Sequence, residues 1–249
     1  MTRIASHRGG TLEFGDSTPR GFAATAAMAL EEVEFDVHPT ADGAIVVHHD
    51  PSLDATTDIS GVIAQMTLAK VKTATIRYGA GGNPLTLEEL CTLYSSSRVN
   101  FRCEIKPGVD GRPYSDFVPR VIALLERHAM LQRTTFSSFL VSCVDELAKA
   151  SDRPRLWLVS PQVLRQLGPQ TVIEVASSHG IPEIGVHVDT ADSGLMETVL
   201  AAGLDFGCWA AHSHEQLEKV LNLGVKVFTT DRPTLAVALR DRYRLETSA

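Results

Sequence analysis

Cysteine is scarce in this chain. Its four cysteines, Cys91, Cys103, Cys143 and Cys208, lie far apart, and none stands in C-x-x-C spacing. A zinc cage or a dense disulfide framework finds no support, and the four read as reduced, mostly buried thiols. Positive charge is also in short supply. Lys and Arg total 23 against 30 Asp and Glu, a formal charge of −7, whereas surfaces that track nucleic-acid phosphates are basic. Nucleic acid is therefore not an expected partner. A small anion stays open as a ligand wherever a metal, Lys or Arg supplies charge locally. No run approaches the ~18 apolar residues of a membrane span. The opening stretch, Met1 to His7, holds no apolar segment of the kind a signal peptide needs, so the cytoplasm is the default location.

What the chain does have is core-forming material: 44% of its 249 residues are hydrophobic, too many for disorder. Short apolar runs alternate with helical segments. Residues 3–6 read as a strand and 21–30 as an Ala-rich helix. Residues 33–37 and 44–48 read as strands joined by a turn containing Asp42-Gly43. Residues 51–84 lack clear periodicity and read as an inserted excursion. Thr86, with Glu89 at capping-box spacing, opens a short helix. From Phe101 the alternation is regular, with strands at 101–105, 134–137, 155–159, 184–188, 205–209 and 225–229. Helices are predicted between them, among them 141–150, 171–178 and 193–202, and a last one at 233–240.

With the hairpin strand and the excursion set aside, eight strand-then-helix units remain in about 250 residues. That pattern implies an α/β protein with a closed parallel sheet, the (β/α)8 or TIM barrel. It is expected to form one domain over 1–249, with an insertion after the second barrel strand at about 51–85. An open doubly wound sheet is the runner-up. It would carry a G-x-G-x-x-G turn after the first strand, and Gly9-Gly10 opens no such turn.

A barrel gathers its chemistry at the C-terminal ends of its strands. Those ends are predicted to hold His7, Glu34, Asp36, Glu104, Lys106, Ser137, Ser138, Ser160, His187, Asp189, Trp209, Thr230 and Asp231. Glu34 and Asp36 are two apart on a strand, so both point to one side of the sheet. Such a pair repels unless a cation intervenes. Glu104, from the next barrel strand, could add a third oxygen, and an all-carboxylate set suits a hard cation, Mg²⁺ or Ca²⁺. The plainer reading of these carboxylates is a solvated strand end with salt bridges. His7 and His49 are candidate proton movers, because a phosphodiester needs a base for the attacking oxygen and an acid for the departing one. His48 competes with His49, since an alternating strand turns only one of them to the site. Arg8 and Lys106 could neutralise phosphoryl oxygens; Arg8 could equally hold a carboxylate. Trp209 could pack on an apolar face of a substrate or simply belong to the core.

These residues resemble the signature of the glycerophosphodiester phosphodiesterases: HRGG at 7–10, EFD at 34–36 and VVHHDPSLDATT at 46–57. Further matches follow in order at PLTLEEL (84–90), EIK (104–106), SF (138–139), Trp209 and GVKVFTTDRP (224–233). The resemblance selects His49 over His48. It implies a barrel with a small insertion after the His-Asp motif. It implies one divalent cation on Glu34, Asp36 and Glu104, His7 and His49 as general acid and base, and Arg8, Lys106 and Trp209 lining the phosphate and substrate pocket. The implied reaction turns a small-molecule glycerophosphodiester and water into glycerol 3-phosphate and an alcohol, in the family scheme by way of a cyclic phosphate.

The chain departs from the family at two places. Gly15-Asp16-Ser17-Thr18 stands where a Glu-Asn-Thr run is usual, and Ala210-Ala211-His212 where Thr-Val-Asn is common. Both fall on loops above the barrel, where substrate selection is expected. Two other readings fit parts of the pattern: a sphingomyelinase D-like lyase that releases the cyclic phosphate, and a non-catalytic barrel that binds glycerophosphodiesters. Oligomeric state, including a homo-oligomer, is left open by the sequence.

Overall fold

The alternation of apolar and polar residues along each strand decides how the sheet closes. On Glu32–Pro39 (β2), Val33, Phe35 and Val37 are fully buried among the outer helices, while Glu32, Glu34 and Asp36 alternate with them and face the barrel interior. The same split on Asn100–Ile105 (β4) sends Phe101, Cys103 and Ile105 outward and Arg102 and Glu104 inward. Phe35 and Phe101 meet edge to face with centroids 4.9 Å apart, and Tyr94 packs on Phe101 at 5.3 Å. Each such fully buried ring contributes about 1.5–3 kcal/mol by leaving water.

The structure, a computed structural model, describes residues 2–79 and 81–247. Met1, at the head of the stretch read for a leader, and Ala80, within the predicted excursion, lie outside the described residues. Arg3–His7 (β1) pairs in parallel with β2 and with Val227–Thr230 (β9), which closes the ring. From β9 the order runs back through Asp205–Trp209 (β8), Glu183–His187 (β7), Arg155–Val159 (β6) and Thr134–Ser138 (β5) to β4 and β2. Ile45–Val47 (β3) lies antiparallel on β2 as the predicted hairpin partner. The result is the expected (β/α)8 barrel.

Helices follow the strands around the outside: Thr11–Phe14 (α1), Pro19–Ala26 (α2), Leu68–Val71 (α3), Leu87–Tyr94 (α4), Phe117–Arg127 (α5), Val141–Ala150 (α6), Pro161–Ser178 (α7), Ser193–Ala201 (α8), His214–Leu223 (α9) and Pro233–Thr247 (α10). The capping box of α4 forms as read: Thr86 Oγ1 accepts from Glu89 N at 3.1 Å, and Glu89 Oε2 accepts from Thr86 N at 2.8 Å. The excursion after β3 carries its own small core of Val46, Leu53, Ile63, Val71 and Ala74. Helix α7 begins ten residues before the predicted 171, because Ser160 caps it and Pro161 suits its first turn. At Gly168 (φ 75, ψ 161) the backbone leaves the helical region, so α7 is two helical segments meeting at a kink, and the second, from Pro169 to Ser178, corresponds to the predicted 171–178 helix.

Below the middle of the barrel, inward charges form a ladder. Arg102, only 3% exposed, donates to Glu32 at 2.6 Å and stands 3.5 Å from Glu183. Arg3 pairs with the same Glu32, and Lys226 pairs with Glu183 and, at 2.9 Å, with Asp205. Alternating signs let the buried Glu32, Arg102 and Glu183 sit in the barrel interior, while Arg3, Lys226 and Asp205 reach its exposed lower rim. Among the described residues no helix is long and apolar enough to cross a membrane.

Candidate active site

At the C-terminal mouth a cavity of about 220 Å³ is lined by His7, Arg8, Glu34, His49, Glu104, Lys106 and Trp209. Seven of the residues singled out from sequence thus meet at one opening, contributed by the ends of β1, β4 and β8, by the interior of β2, and by the loop after β3. Asp36 sits just behind them, 1% exposed. The β2–β4 register places it directly opposite Glu104.

Glu34, Asp36 and Glu104 each offer an oxygen, and the three atoms lie within 4.8 Å of one another. Two cations face them. Lys106 Nζ stands 2.7 Å from Glu104 and 3.1 Å from Asp36, and Arg8 Nε stands 3.1 Å from Asp36. Those oxygens rest at ion-pair distance without hydrogen-bond geometry, and Glu34 Oε2 has no hydrogen-bond partner among the described residues. The electrostatics follow from burial. Burial and the charges of Asp36 and Glu104 push the Glu34 carboxyl well above its usual range. Burial pushes Glu104 up to about 7 against the pull of Lys106. Burial acts on Asp36 in the same direction, but Lys106 and Arg8 outweigh it and hold that carboxyl below its ordinary value. With all three ionised, the carboxylates outnumber the two cations, and their oxygens are short of partners. The donor set is all oxygen, and it fits a hard divalent cation.

Arg8 is the hinge of the first loop. Its NH1 donates to Asp16 at 2.8 Å while its Nε faces Asp36, so it joins the departing stretch 15–18 to the carboxylates. Ser17 Oγ donates to the other Asp16 oxygen at 2.8 Å, and Thr18 Oγ1 caps α2 by accepting from Gly21 N. The backbone at Arg8 is left-handed, φ 49, a conformation that non-glycine residues adopt at a cost.

Both candidate proton movers are held by a carboxylate. His7 Nδ1 lies 2.5 Å from Asp231 Oδ1, and its Nε2 lies 3.8 Å from Glu34. His49 Nδ1 lies 2.7 Å from Asp50 Oδ1. In each ring Nε2 is the nitrogen left for chemistry. Burial, opposed by the charge of Asp36, lowers the pKa of His49. His48 is turned away and 3% exposed, with Nδ1 on the Asp50 carbonyl and Nε2 on Thr56, each at 2.8 Å. His38 supports the neighbouring backbone by donating to the His49 carbonyl at 3.0 Å.

Two residues given no role from sequence stand beside His7. Asp231 directly follows β9, and its carboxyl would be raised by burial; the hydrogen bond and charge of His7 overcome that and lower it. His212 Nδ1 accepts the backbone N–H of Asp231 at 3.0 Å, and its Nε2 is 3.5 Å from the Asp231 carboxylate. His7, His212 and Asp231 also lie at metal-ligand spacing. The amide donated to Nδ1 puts the ring hydrogen of His212 on Nε2, which favours hydrogen bonding over ligation there. The sequence signal for Asp231 was its place at a strand end; for its pairing with His7 there was none. Trp209 packs edge to face on His187 at 4.8 Å and on Phe139 at 5.4 Å, and donates Nε1–H to the Gly185 carbonyl.

A parallel barrel that gathers paired histidines, buried carboxylates and two cations at its C-terminal mouth is an enzyme of the TIM-barrel class. The chain belongs to the Glycerophosphoryl diester phosphodiesterase family, whose profile matches residues 7–235. A solved structure from Agrobacterium tumefaciens str. C58, provisionally assigned as a glycerophosphoryl diester phosphodiesterase, is 77% identical with a TM-score of 0.98, over 98% of this chain and 99% of that one. A glycerophosphodiester phosphodiesterase of Bacillus altitudinis is 26% identical over 98% of this chain and 100% of its own length. A phosphodiesterase of Oleispira antarctica, solved with the product sn-glycerol-3-phosphate, shares the fold at a TM-score of 0.79 and 22% identity, over 97% of each chain.

Proposed function

We propose that this protein hydrolyses glycerophosphodiesters to glycerol 3-phosphate and an alcohol, using His7 and His49 as its acid–base pair and a divalent cation on Glu34, Asp36 and Glu104. One observation carries the reading. Both imidazoles line the cavity of the carboxylate trio, and each has Nδ1 tied to a carboxylate, leaving Nε2 to move a proton. Membership of the family supports the reaction class.

One imidazole takes the proton of the attacking hydroxyl, and the other protonates the departing alkoxide. A glycerol hydroxyl held beside phosphorus attacks first, and the two rings exchange roles when water opens the resulting cyclic phosphate. Lys106 and Arg8 face the phosphoryl oxygens while anchored to Asp36, so their charge is fixed before substrate arrives. A bound Mg²⁺ or Ca²⁺ would add positive charge at the same oxygens. Trp209 and Phe139 form an apolar wall for the alcohol or glycerol. The four buried free thiols suit a reducing compartment, the cytoplasm, and the whole chain works as one catalytic unit.

The test is turnover of glycerophosphocholine by wild type, His7→Ala and His49→Ala, each checked for folding by circular dichroism. Each change should cost roughly 10²–10⁴-fold in kcat. Undiminished turnover in both variants would overturn the assignment, and a cyclic phosphate that persists in phosphorus NMR would make the protein a lyase.

A further inference from the structure

Two neighbouring serines at the end of β5 have the same burial and opposite fates. Ser138, fully buried, is completely used: its Oγ donates to the Ile105 carbonyl at 2.9 Å and accepts from Leu140 N at 3.2 Å. It thereby ties β5 to β4 and starts the turn into α6. Ser137, 1% exposed, turns the other way, into the barrel, and lines the mouth cavity. Its Oγ has no hydrogen-bond partner among the described residues. The Ser-Phe match in the sequence falls on Ser138, so the motif marks the structural serine and passes over the one that faces the cavity.

Folding alone does not require a hydroxyl here; alanine would fit the same backbone. Its position says what meets it. The strand register sets Ser137 opposite Glu104 on one side and Leu156 on the other. It therefore stands on the seam between the charged wall of Glu34, Glu104 and Lys106 and the apolar wall of Phe139, Leu156 and Leu158. It also lies one inward position below Lys106 and Phe139, beneath the level at which the cations stand. A small group able to hydrogen-bond, carried by an anion held above at Arg8 and Lys106, fits this seam.

We propose that Ser137 is a substrate-binding residue whose hydroxyl hydrogen-bonds a hydroxyl of the glycerol unit of the substrate. The inference rests on the proposed hydrolysis of glycerophosphodiesters and adds to it a specific contact for the glycerol moiety. It makes Ser137 a residue kept for ligand contact, whereas Ser138 is kept for the fold.

The experiment compares wild type, Ser137→Ala and Ser138→Ala by thermal unfolding and by calorimetric binding of two probes, glycerol 3-phosphate and inorganic phosphate. Ser137→Ala should unfold at the same or a higher temperature, bind glycerol 3-phosphate roughly 3- to 12-fold more weakly, as loss of one hydrogen bond implies, and bind inorganic phosphate unchanged. Ser138→Ala should unfold at a lower temperature. Equal weakening for both probes would mean that Ser137 meets the phosphoryl group, and equal affinity for glycerol 3-phosphate in Ser137→Ala would mean that it meets no ligand; either result overturns the inference. Failure of the wild type itself to bind glycerol 3-phosphate would instead count against the proposed function.

Discussion

At the scale of single residues, the site depends on partners far apart in sequence. His7 and Asp231 are separated by 224 positions, yet their side chains meet at 2.5 Å. The Asp231 carboxylate fixes which nitrogen of His7 carries the hydrogen and which faces the cavity. Asp231→Asn should therefore lower kcat on the order of tenfold or more, short of the ~10²–10⁴-fold loss of a proton-moving group itself, with KM little changed. Steady-state kinetics on glycerophosphocholine check this, and a variant with wild-type kcat would show that His7 needs no such anchor. The residue scale is also where sequence reading divides. Glu34, Asp36 and His49 were legible because they fall in short motifs on one strand and one loop. Asp231 and Ser137 were placed at strand ends by the sequence pattern, but their roles were not legible, because a contact with His7 or a place on a cavity wall leaves no mark in local sequence.

At the scale of elements, the turn after β1 delivers His7 and Arg8 and is built under constraint. Gly9 has φ +76, and a Cβ there would lie 2.9 Å from the backbone nitrogen of Phe22. Gly9→Ala should cost ~1–3 kcal/mol from the backbone conformation alone, read as a lower urea midpoint; an unchanged midpoint would mean that the turn relaxes freely. Strands were read well because period-2 alternation is strong where one face of the strand packs on helices, as on β2 and β4. The helical segment before the kink at Gly168 was not legible, whereas the one after it matches the helix expected at 171–178. Proline tolerates the first turn of a new helical segment, and glycine supplies the bend. Helix α1, Thr11–Phe14, is too short to show any period.

At the scale of the whole molecule, the barrel is held by an apolar shell outside and a charge ladder inside. The shell was legible as hydrophobic periodicity. The ladder was not, because Arg3, Glu32, Arg102, Glu183 and Lys226 come from five separate segments and look like ordinary surface charges until the barrel closes. Arg102→Met should leave Glu32 and Glu183 short of their shared partner and destabilise the fold by ~3–5 kcal/mol; chemical denaturation measures it, and a loss below 1 kcal/mol would show that Arg3 and Lys226 suffice.

The shell also sets an alkaline limit. Burial pushes the Cys91 and Cys208 thiols from 9.0 up to about 12. Unfolded, they ionise near their ordinary value, so their contribution is intact below about pH 9 and is lost as pH rises towards 12. Stability measured by urea at several pH values from 8 to 11 should fall, and Cys91→Ala with Cys208→Ala should flatten that slope; an identical slope in the double variant would contradict the account.

Under the proposed function, three buried carboxylates and two anchored histidines form one cation-dependent centre for glycerophosphodiesters. The most direct measurement is release of glycerol 3-phosphate from a panel of glycerophosphodiesters by chelator-treated protein, before and after Mg²⁺ or Ca²⁺ is restored, with Glu104→Gln alongside. The expected result is no release after chelation, recovery on adding one of the two cations, and no recovery in Glu104→Gln. Full release by the chelated protein, or full recovery in Glu104→Gln, would contradict it.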